Sequence, residues 1–354
     1  MPTDPKTLLA KYQPKAVKPF NLDQQLCALR YSPDGKTLAA GSFEASVRRW
    51  DASANPFAEQ SALKGHNGWV QRIAFHPDGK RLISADSWGQ VTCWPFNEKD
   101  AKPTWSVADA HDGWVYSLAI SKDGKLIASG GRDKTIRLTN PDDGKKLNVL
   151  NVGEHVLALA FHPDGKSLVS GDLKGTIKHW DLATGKVVRE LDAKVMFLRD
   201  RIQDVGGVRS LEFSPDGATL FAGGSLPKSG GFVQGISLIL SFDWASGKGT
   251  PLYKGATDNE GYVYDMAWHP GGFLIAITSG QPGQGKLFFQ QPGDALPFYT
   301  VAIPNPHSLA VHPEGKRLVV AATNANSSGN GRAVGKNKEY PGNFSPLHVF
   351  DLPV

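Results

Sequence analysis

Apolar runs of five or six residues recur along the chain, each bounded by a tight cluster of Pro, Asp, Gly and Lys or a close variant. Val70-Gln71-Arg72-Ile73-Ala74-Phe75 leads into His76-Pro77-Asp78-Gly79-Lys80, and Arg81-Leu82-Ile83-Ser84-Ala85 follows. Runs this short between turn residues predict β-strands, and two of them joined by such a turn predict a hairpin. Proline presets φ, aspartate bonds the backbone ahead of it and glycine accepts positive φ, so the chain reverses sharply. The cluster returns as Ser32-Pro33-Asp34-Gly35-Lys36, Ser121-Lys122-Asp123-Gly124-Lys125, His162-Pro163-Asp164-Gly165-Lys166, Ser214-Pro215-Asp216-Gly217, His269-Pro270-Gly271-Gly272 and His312-Pro313-Glu314-Gly315-Lys316. Its last glycines, at 35, 79, 124, 165, 217, 272 and 315, are spaced by 44, 45, 41, 52, 55 and 43 residues. That is the period of a four-stranded repeat, with insertions around the fifth and sixth units.

The third strand of each unit ends in a recognisable dipeptide. It reads Trp50-Asp51 and Trp180-Asp181, with degenerate forms Trp94-Pro95, Thr139-Asn140, Phe242-Asp243, Phe289-Gln290 and Phe350-Asp351. Gly65-His66 and Ala110-His111 precede two of the first strands. On these residues the sequence resembles the WD40 repeat family over all seven repeats. The resemblance implies an all-β, seven-bladed β-propeller of four-stranded antiparallel blades. The chain then divides into an N-terminal segment with a closing strand (1–23) and blades at 24–65, 66–110, 111–152, 153–192, 193–256, 257–304 and 305–354, all within a single domain over 1–354. The last blade ends at Leu347-His348-Val349-Phe350-Asp351-Leu352 with no fourth strand, so Lys15-Ala16-Val17-Lys18-Pro19-Phe20 is expected to supply it, resembling the closure of the family. Pro14 and Pro19 suit an edge strand.

In the family, a His, a Ser or Thr, an Asp and the Trp of one blade form a buried hydrogen-bonded tetrad. Carried over, this gives His111, Ser129 and Asp133 in blade three, with Thr139 in place of Trp. Blade two offers His66, Ser84 and Trp94 but has Trp88 where the Asp is expected, and blade four has Ser170 and Trp180 with Lys174 in the Asp position. The resemblance makes these groups structural rather than catalytic, and the incomplete blades are expected to lean on apolar packing.

Composition narrows the function classes. A chain of 354 residues with 39 Gly and 24 Pro has room for many turns, and 40% apolar with 21% charged residues suits a soluble globular protein. No apolar run approaches the ~18 residues of a membrane-spanning helix. A net charge of +5 without a Lys/Arg block gives little electrostatic footprint for nucleic acid. Cys27 and Cys93 have neither metal-ligand nor disulfide spacing and read as strand residues. Met1-Pro2-Thr3-Asp4-Pro5-Lys6 does not read as a secretory leader, so a cytoplasmic, monomeric protein is expected, with export of a longer precursor left open. No catalytic motif is present, and no metal or cofactor is expected. Gly280-Gln281-Pro282-Gly283-Gln284-Gly285-Lys286 has phosphate-loop spacing, but Leu287 stands where Ser or Thr would hold magnesium. Asn326-Ser327-Ser328 and Asn343-Phe344-Ser345 fit the glycosylation pattern as chance loop composition.

Extra length falls at 193–207, 224–235, 279–285 and 322–346, all in loops of one propeller face, and loops on a rigid scaffold tend to carry function. The Gly/Asn/Ser-rich run at 325–332 belongs to the last of these. Aligned strands place Cys27, Gln71, Tyr116, Leu157, Arg209, Tyr264 and His307 around the channel mouth on that face. Two residues earlier stand Gln25, Trp69, Trp114, His155, Gly207, Tyr262 and Asn305, and Trp88 and Arg132 lean toward the same rim. Aromatic residues with arginine are hot-spot chemistry. The expected function is a non-enzymatic scaffold that binds a protein or peptide partner through Trp69, Trp88, Trp114, Tyr116, Arg132, His155, Arg209, Tyr262, Tyr264 and His307. By resemblance the ligand is a peptide segment, and Arg132, Arg209 and Lys174 would favour an acidic or phosphorylated one. The alternative is a propeller enzyme or small-ligand binder at the channel; Asp265 and Glu212 are too few acids for a calcium site.

Overall fold

All seven turn clusters close in the same way. The Gly35 amide donates to the Ser32 carbonyl at 2.9 Å, and the same bond joins Gly79 to His76, Gly124 to Ser121, Gly165 to His162, Gly217 to Ser214, Gly272 to His269 and Gly315 to His312. These glycines have φ between 67° and 91°, the left-handed region that a side chain would strain. Asp34, Asp78, Asp123, Asp164 and Asp216 each accept the amide two residues on, which fixes the turn.

The computed structural model describes residues 4–229, 235–325 and 343–353. Among these, the hairpins extend into seven four-stranded antiparallel sheets, the blades of a propeller. In blade one the strands, a to d, are Leu26–Tyr31, Thr37–Ser42, Ser46–Asp51 and Ala58–Lys64. Strand a of each blade packs on strand a of the next, and Pro306–Val311 packs on Leu26–Tyr31, so the sheets form a closed ring of seven. Burial is deepest in the second strand and least in the outermost: Thr37–Ser42 and Ser167–Asp172 are buried throughout, whereas the outer strand Lys146–Asn151 is exposed at all but Leu150.

The ring closes through the N-terminal strand. Lys15–Leu22 pairs antiparallel with Ser345–Asp351 and completes the sheet of blade seven. Its register shifts between Val17 and Phe20, which places Pro19 at an irregularity of an edge strand, where no ladder bond is lost. Ahead of it lies a helix, Pro5–Lys11, that the sequence pattern did not predict; Asp4 caps it by accepting the Thr7 amide. Its Leu8 and the following Tyr12 are buried beside Phe273, Phe289 and Phe350 of the last two blades.

The aromatic residue that ends strand c joins neighbouring blades. Trp50 packs with Ala310 and Val319 of blade seven, Trp94 with Ala39 and Val47 of blade one, and Trp180 with Ala128 and Ile136 of blade three. Blade six corrects the dipeptide assignment. Its hairpin is one residue shorter: His269 pairs with Phe273, whereas Ser32 bonds Thr37 in blade one. Leu274 therefore faces Gln290, not Phe289, at the position where Leu38 faces Trp50.

Of the extra segments, 193–207 forms a 3-10 turn, Lys194–Met196, and a small hairpin, Phe197–Asp200 with Gln203–Gly206. The insertion of blade five lengthens strands b and c to Thr219–Pro227 and Gly235–Asp243. Most of the Gly/Asn/Ser-rich run at 325–332, the Asn326 pattern and the bulk of 322–346 lie outside the described residues.

Candidate functional site

The tetrad residues come together, with one correction. In blade two, Trp94 Nε1 donates to Ser84 Oγ at 2.7 Å, Ser84 lies 2.6 Å from His66 Nε2, and His66 Nδ1 lies 3.0 Å from Asp86. The acid is thus Asp86, two residues before Trp88, and blade two does not depend on apolar packing alone. Asp86 also accepts the amides of Asn67, Gly68, Trp88 and Gln90. Burial alone would raise its carboxyl, yet His66 and these amides hold it below the ordinary carboxylate value. Blade three repeats the relay from Ser129 to His111 at 2.8 Å and from His111 to Asp133 at 3.0 Å. In blade four, Trp180 donates to Ser170, while among the described residues the Asp172 carboxylate accepts only the amides of Lys174 and Thr176. Both histidines are therefore tied into framework bonds.

The relays and turns fix the rim above them. A recurrent backbone bond runs from the b–c turn to the start of strand a: Phe43 to Gln25, Ser87 to Trp69, Arg132 to Trp114, Leu173 to His155 and Thr323 to Asn305. Trp69 is held twice, because its amide also donates to Ser87 Oγ at 3.0 Å. On this frame an aromatic chain passes over blades one to four. Ring centroids are 4.7 Å apart for Phe43 and Trp69, 5.6 Å for Trp69 and Trp114, 6.1 Å for Trp114 and Tyr116, and 6.2 Å for Tyr116 and His155. Of this chain Trp69 is 42% exposed and the other rings are partly buried; outside it, Trp88 is 68% and Tyr264 40% exposed.

Across the mouth, Tyr262 and Tyr264 meet edge to face at 6.0 Å, and the Arg209 guanidinium lies 4.9 Å from the Tyr262 ring centre. Tyr262 itself is buried. Arg132 is exposed and makes no ion pair among the described residues, whereas Lys174 is 3.1 Å from Glu154 and its charge is compensated. The aligned positions Cys27, Gln71, Tyr116, Leu157, Arg209, Tyr264 and His307 all line the central channel, with Trp114. Trp69, Trp88, Arg132, His155 and Tyr262 do not line it.

Deeper in the channel lie charged residues that the sequence reading did not place there as a group. One step along strand a, the series is Ala28, Arg72, Ser117, Ala158, Ser210, Asp265 and Ser308, and every member lines the channel. Two steps further it is Arg30, Ala74, Ala119, Ala160, Glu212, Ala267 and Ala310. Each series is Ala or Ser except for one cation and one anion, a signal that aligning the strands past the mouth position would have given. Arg30 spans from blade one to Asp265 of blade six at 2.9 Å, and Ser308 and the Leu309 amide also bond Asp265. Enclosure pushes the Glu212 carboxyl up to about 7, with the Trp268 amide and Arg30 opposing the rise. It pushes His307 down to about 4 and the Cys27 thiol up to about 12, so Cys27 is no thiolate at neutral pH.

Among the described residues, no group of three or more His, Cys, Asp and Glu could hold a metal ion. No described helix is long and apolar enough to cross a membrane. Lys286, from the phosphate-loop look-alike, is paired with Glu260 at 2.8 Å.

Comparison with known proteins agrees with this architecture. The family model described as WD domain, G-beta repeat matches residues 20–51, 58–95, 102–140 and 144–181, from the closing strand to the third strand of blade four. The small ribosomal subunit protein RACK1y of Oryza sativa subsp. japonica is 28% identical over 197 residues, 55% of this chain and 44% of that protein. The nuclear distribution protein PAC1 of Arthroderma otae is 27% identical over 206 residues, covering 50% and 44%. The U5 small nuclear ribonucleoprotein 40 kDa protein of Pongo abelii is 40% identical over 67 residues, 19% of this chain and 18% of that protein. The chain thus spans less than half the length of these relatives.

Proposed function

We propose, from the premise that this chain is a seven-bladed WD40-repeat propeller, that it is a non-enzymatic scaffold which holds a peptide segment of a partner protein on its aromatic rim. The observation that carries the reading is the partly exposed chain from Phe43 through Trp69, Trp114 and Tyr116 to His155, pinned to the frame by backbone bonds. Rigid aromatic side chains lose little conformational entropy on binding and bury large areas, so a rim fixed in advance is suited to recognition. The relatives whose printed names place them in a ribosomal subunit and a ribonucleoprotein are components of assemblies, which is consistent with a scaffold.

Arg132 and Arg209 give the rim a positive character, and an acidic or phosphorylated segment is the complementary ligand. Lys174 drops out of this account because Glu154 already pairs with it. Bound proteins captured by the wild type and by a Trp69→Ala, Trp88→Ala, Tyr264→Ala variant of equal melting temperature, identified by mass spectrometry, test the reading. Specific partners should disappear with the variant. Retention of every specific partner would move the site off this rim.

A further inference from the structure

We propose that the central channel is a binding site for a small polyvalent anion, a phosphate or carboxylate compound, clasped between the guanidinium groups of Arg72 and Arg209. The site goes beyond the rim reading and does not rest on it.

Space comes first. Alanine and serine occupy most inward positions of strand a, so the ring leaves an open channel of about 990 Å³. Cavities that take small molecules occupy roughly 300–1,000 Å³. Charge comes second. Three arginines, Arg30, Arg72 and Arg209, and Lys122 line this volume with two acids, Asp265 and Glu212. Asp265 is committed to Arg30 at 2.9 Å and to Ser308 at 3.0 Å. Arg72 and Arg209 make no ion pair among the described residues; the hydrogen bond of Arg72 to protein is to the Gln71 carbonyl, and Arg209 lies over Tyr262. A guanidinium enclosed without an anion is unfavourable, and a planar fork of donors matches a phosphate or carboxylate in two contacts.

Position comes third. Arg72 belongs to blade two and Arg209 to blade five, so they reach into the channel from different parts of the ring. Enclosure lowers the Arg72 value most, Asp265 opposes that, and Arg30 and then Arg209 add to it, so the charges of the two arginines act on one another. One ligand with two anionic groups would engage both. Glu212 is the remaining acid, and its carboxylate opposes such a ligand.

Isothermal titration calorimetry of the full chain at low ionic strength, with inorganic pyrophosphate and with citrate as probes, tests the assignment. At least one probe should bind. Its affinity should fall tenfold or more in Arg72→Gln and in Arg209→Gln and rise severalfold in Glu212→Gln, while Leu147→Ala, on the exposed outer strand Lys146–Asn151, should leave it unchanged. Binding of pyrophosphate alone would assign the site to phosphoryl compounds, and binding of citrate alone to carboxylates. Binding of neither probe to the wild type, or affinity unchanged in both arginine variants, would overturn the proposal. If an arginine variant fails to fold, as judged by its melting curve, Glu212→Gln decides: an affinity equal to wild type overturns it. None of these failures touches the aromatic rim, which partner capture by Trp69→Ala and Trp88→Ala tests without altering a channel residue.

Discussion

His66 Nδ1 lies 3.0 Å from the carboxylate of Asp86, and both side chains are closed to solvent. This one contact sets the direction of a whole relay. If Nδ1 carries the proton and donates to Asp86, Nε2 accepts from the Ser84 hydroxyl, and Ser84 Oγ in turn accepts from Trp94 Nε1. Every donor has an acceptor with a neutral imidazole, which is how a buried polar network becomes stabilising rather than costly.

Asp86→Ala should therefore destabilise the protein by about 3 kcal/mol or more, because it leaves His66 and several buried amides without an acceptor. Trp88→Ala, at the position where alignment puts the acid, should stay within about 0.5 kcal/mol because its side chain is mostly exposed. Urea unfolding of the two variants separates the assignments. Equal losses would mean that the relay does not run through Asp86.

The paired carboxylates also give a direction to acid unfolding. Burial alone would raise Asp133, but His111 and the Thr135 amide and hydroxyl hold it below its ordinary value. Asp78 lies lower still, at about 2, where the Lys80 amide and Arg81 outweigh burial. A carboxyl whose folded value is depressed adds stability above its unfolded value, ~4, and loses it as pH falls through the folded one. Asp133→Asn should cost stability at pH 7 and much less at pH 3. A gap of the same size at both pH values would remove ionisation of Asp133 from the account.

At the opposite face, His76 Nε2 reaches the Gly124 carbonyl of the next blade at 2.7 Å. A Cβ on Gly124 would meet the His76 ring at 2.6 Å, whereas one on Gly79 would meet nothing within 4 Å. Both glycines have similar positive φ, 72° and 67°. Gly79→Ala should thus show the backbone strain alone, ~1 kcal/mol, and Gly124→Ala clearly more. Thermal unfolding of the two variants should place Gly124→Ala lower, and identical melting temperatures would show that the histidine gives way freely.

Ring closure predicts a cooperative loss. Tyr12 packs at 5.3 Å from the His269 ring and 5.0 Å from Phe273, so Tyr12→Ala should cost about 3 kcal/mol. Removing 1–23 also strips the strand paired with Ser345–Asp351 and exposes the edge of blade seven. The melting temperature should fall well below that of Tyr12→Ala. A melting curve like that of the intact chain would mean that blade seven needs no fourth strand.

Much of this was legible in the sequence because it is local. The turn clusters carry their own conformational demands, so Gly35, Gly79 and their counterparts marked the hairpins, their number gave the number of blades, and the period between them gave the four-stranded size of each. The terminal strand at 347–352, lacking a partner after it, pointed to Lys15–Phe20 for closure. The mouth ring followed from the same alignment, and all of its aligned residues line the channel. Register was decided only in three dimensions. Neither the shift of the acid from the Trp88 position to Asp86 nor the replacement of Phe289 by Gln290 breaks the local pattern, because each depends on which residues a folded turn brings opposite one another. The helix at Pro5–Lys11 was hidden for a related reason: seven residues are too few to hold a helix by propensity, and its place is fixed by Leu8 and Tyr12 seated between distant blades. The set of Arg30, Arg72, Glu212 and Asp265 is the clearest case. Their sequence separations carry no motif, and only closure of the ring turns four isolated charges on separate strands into one lining.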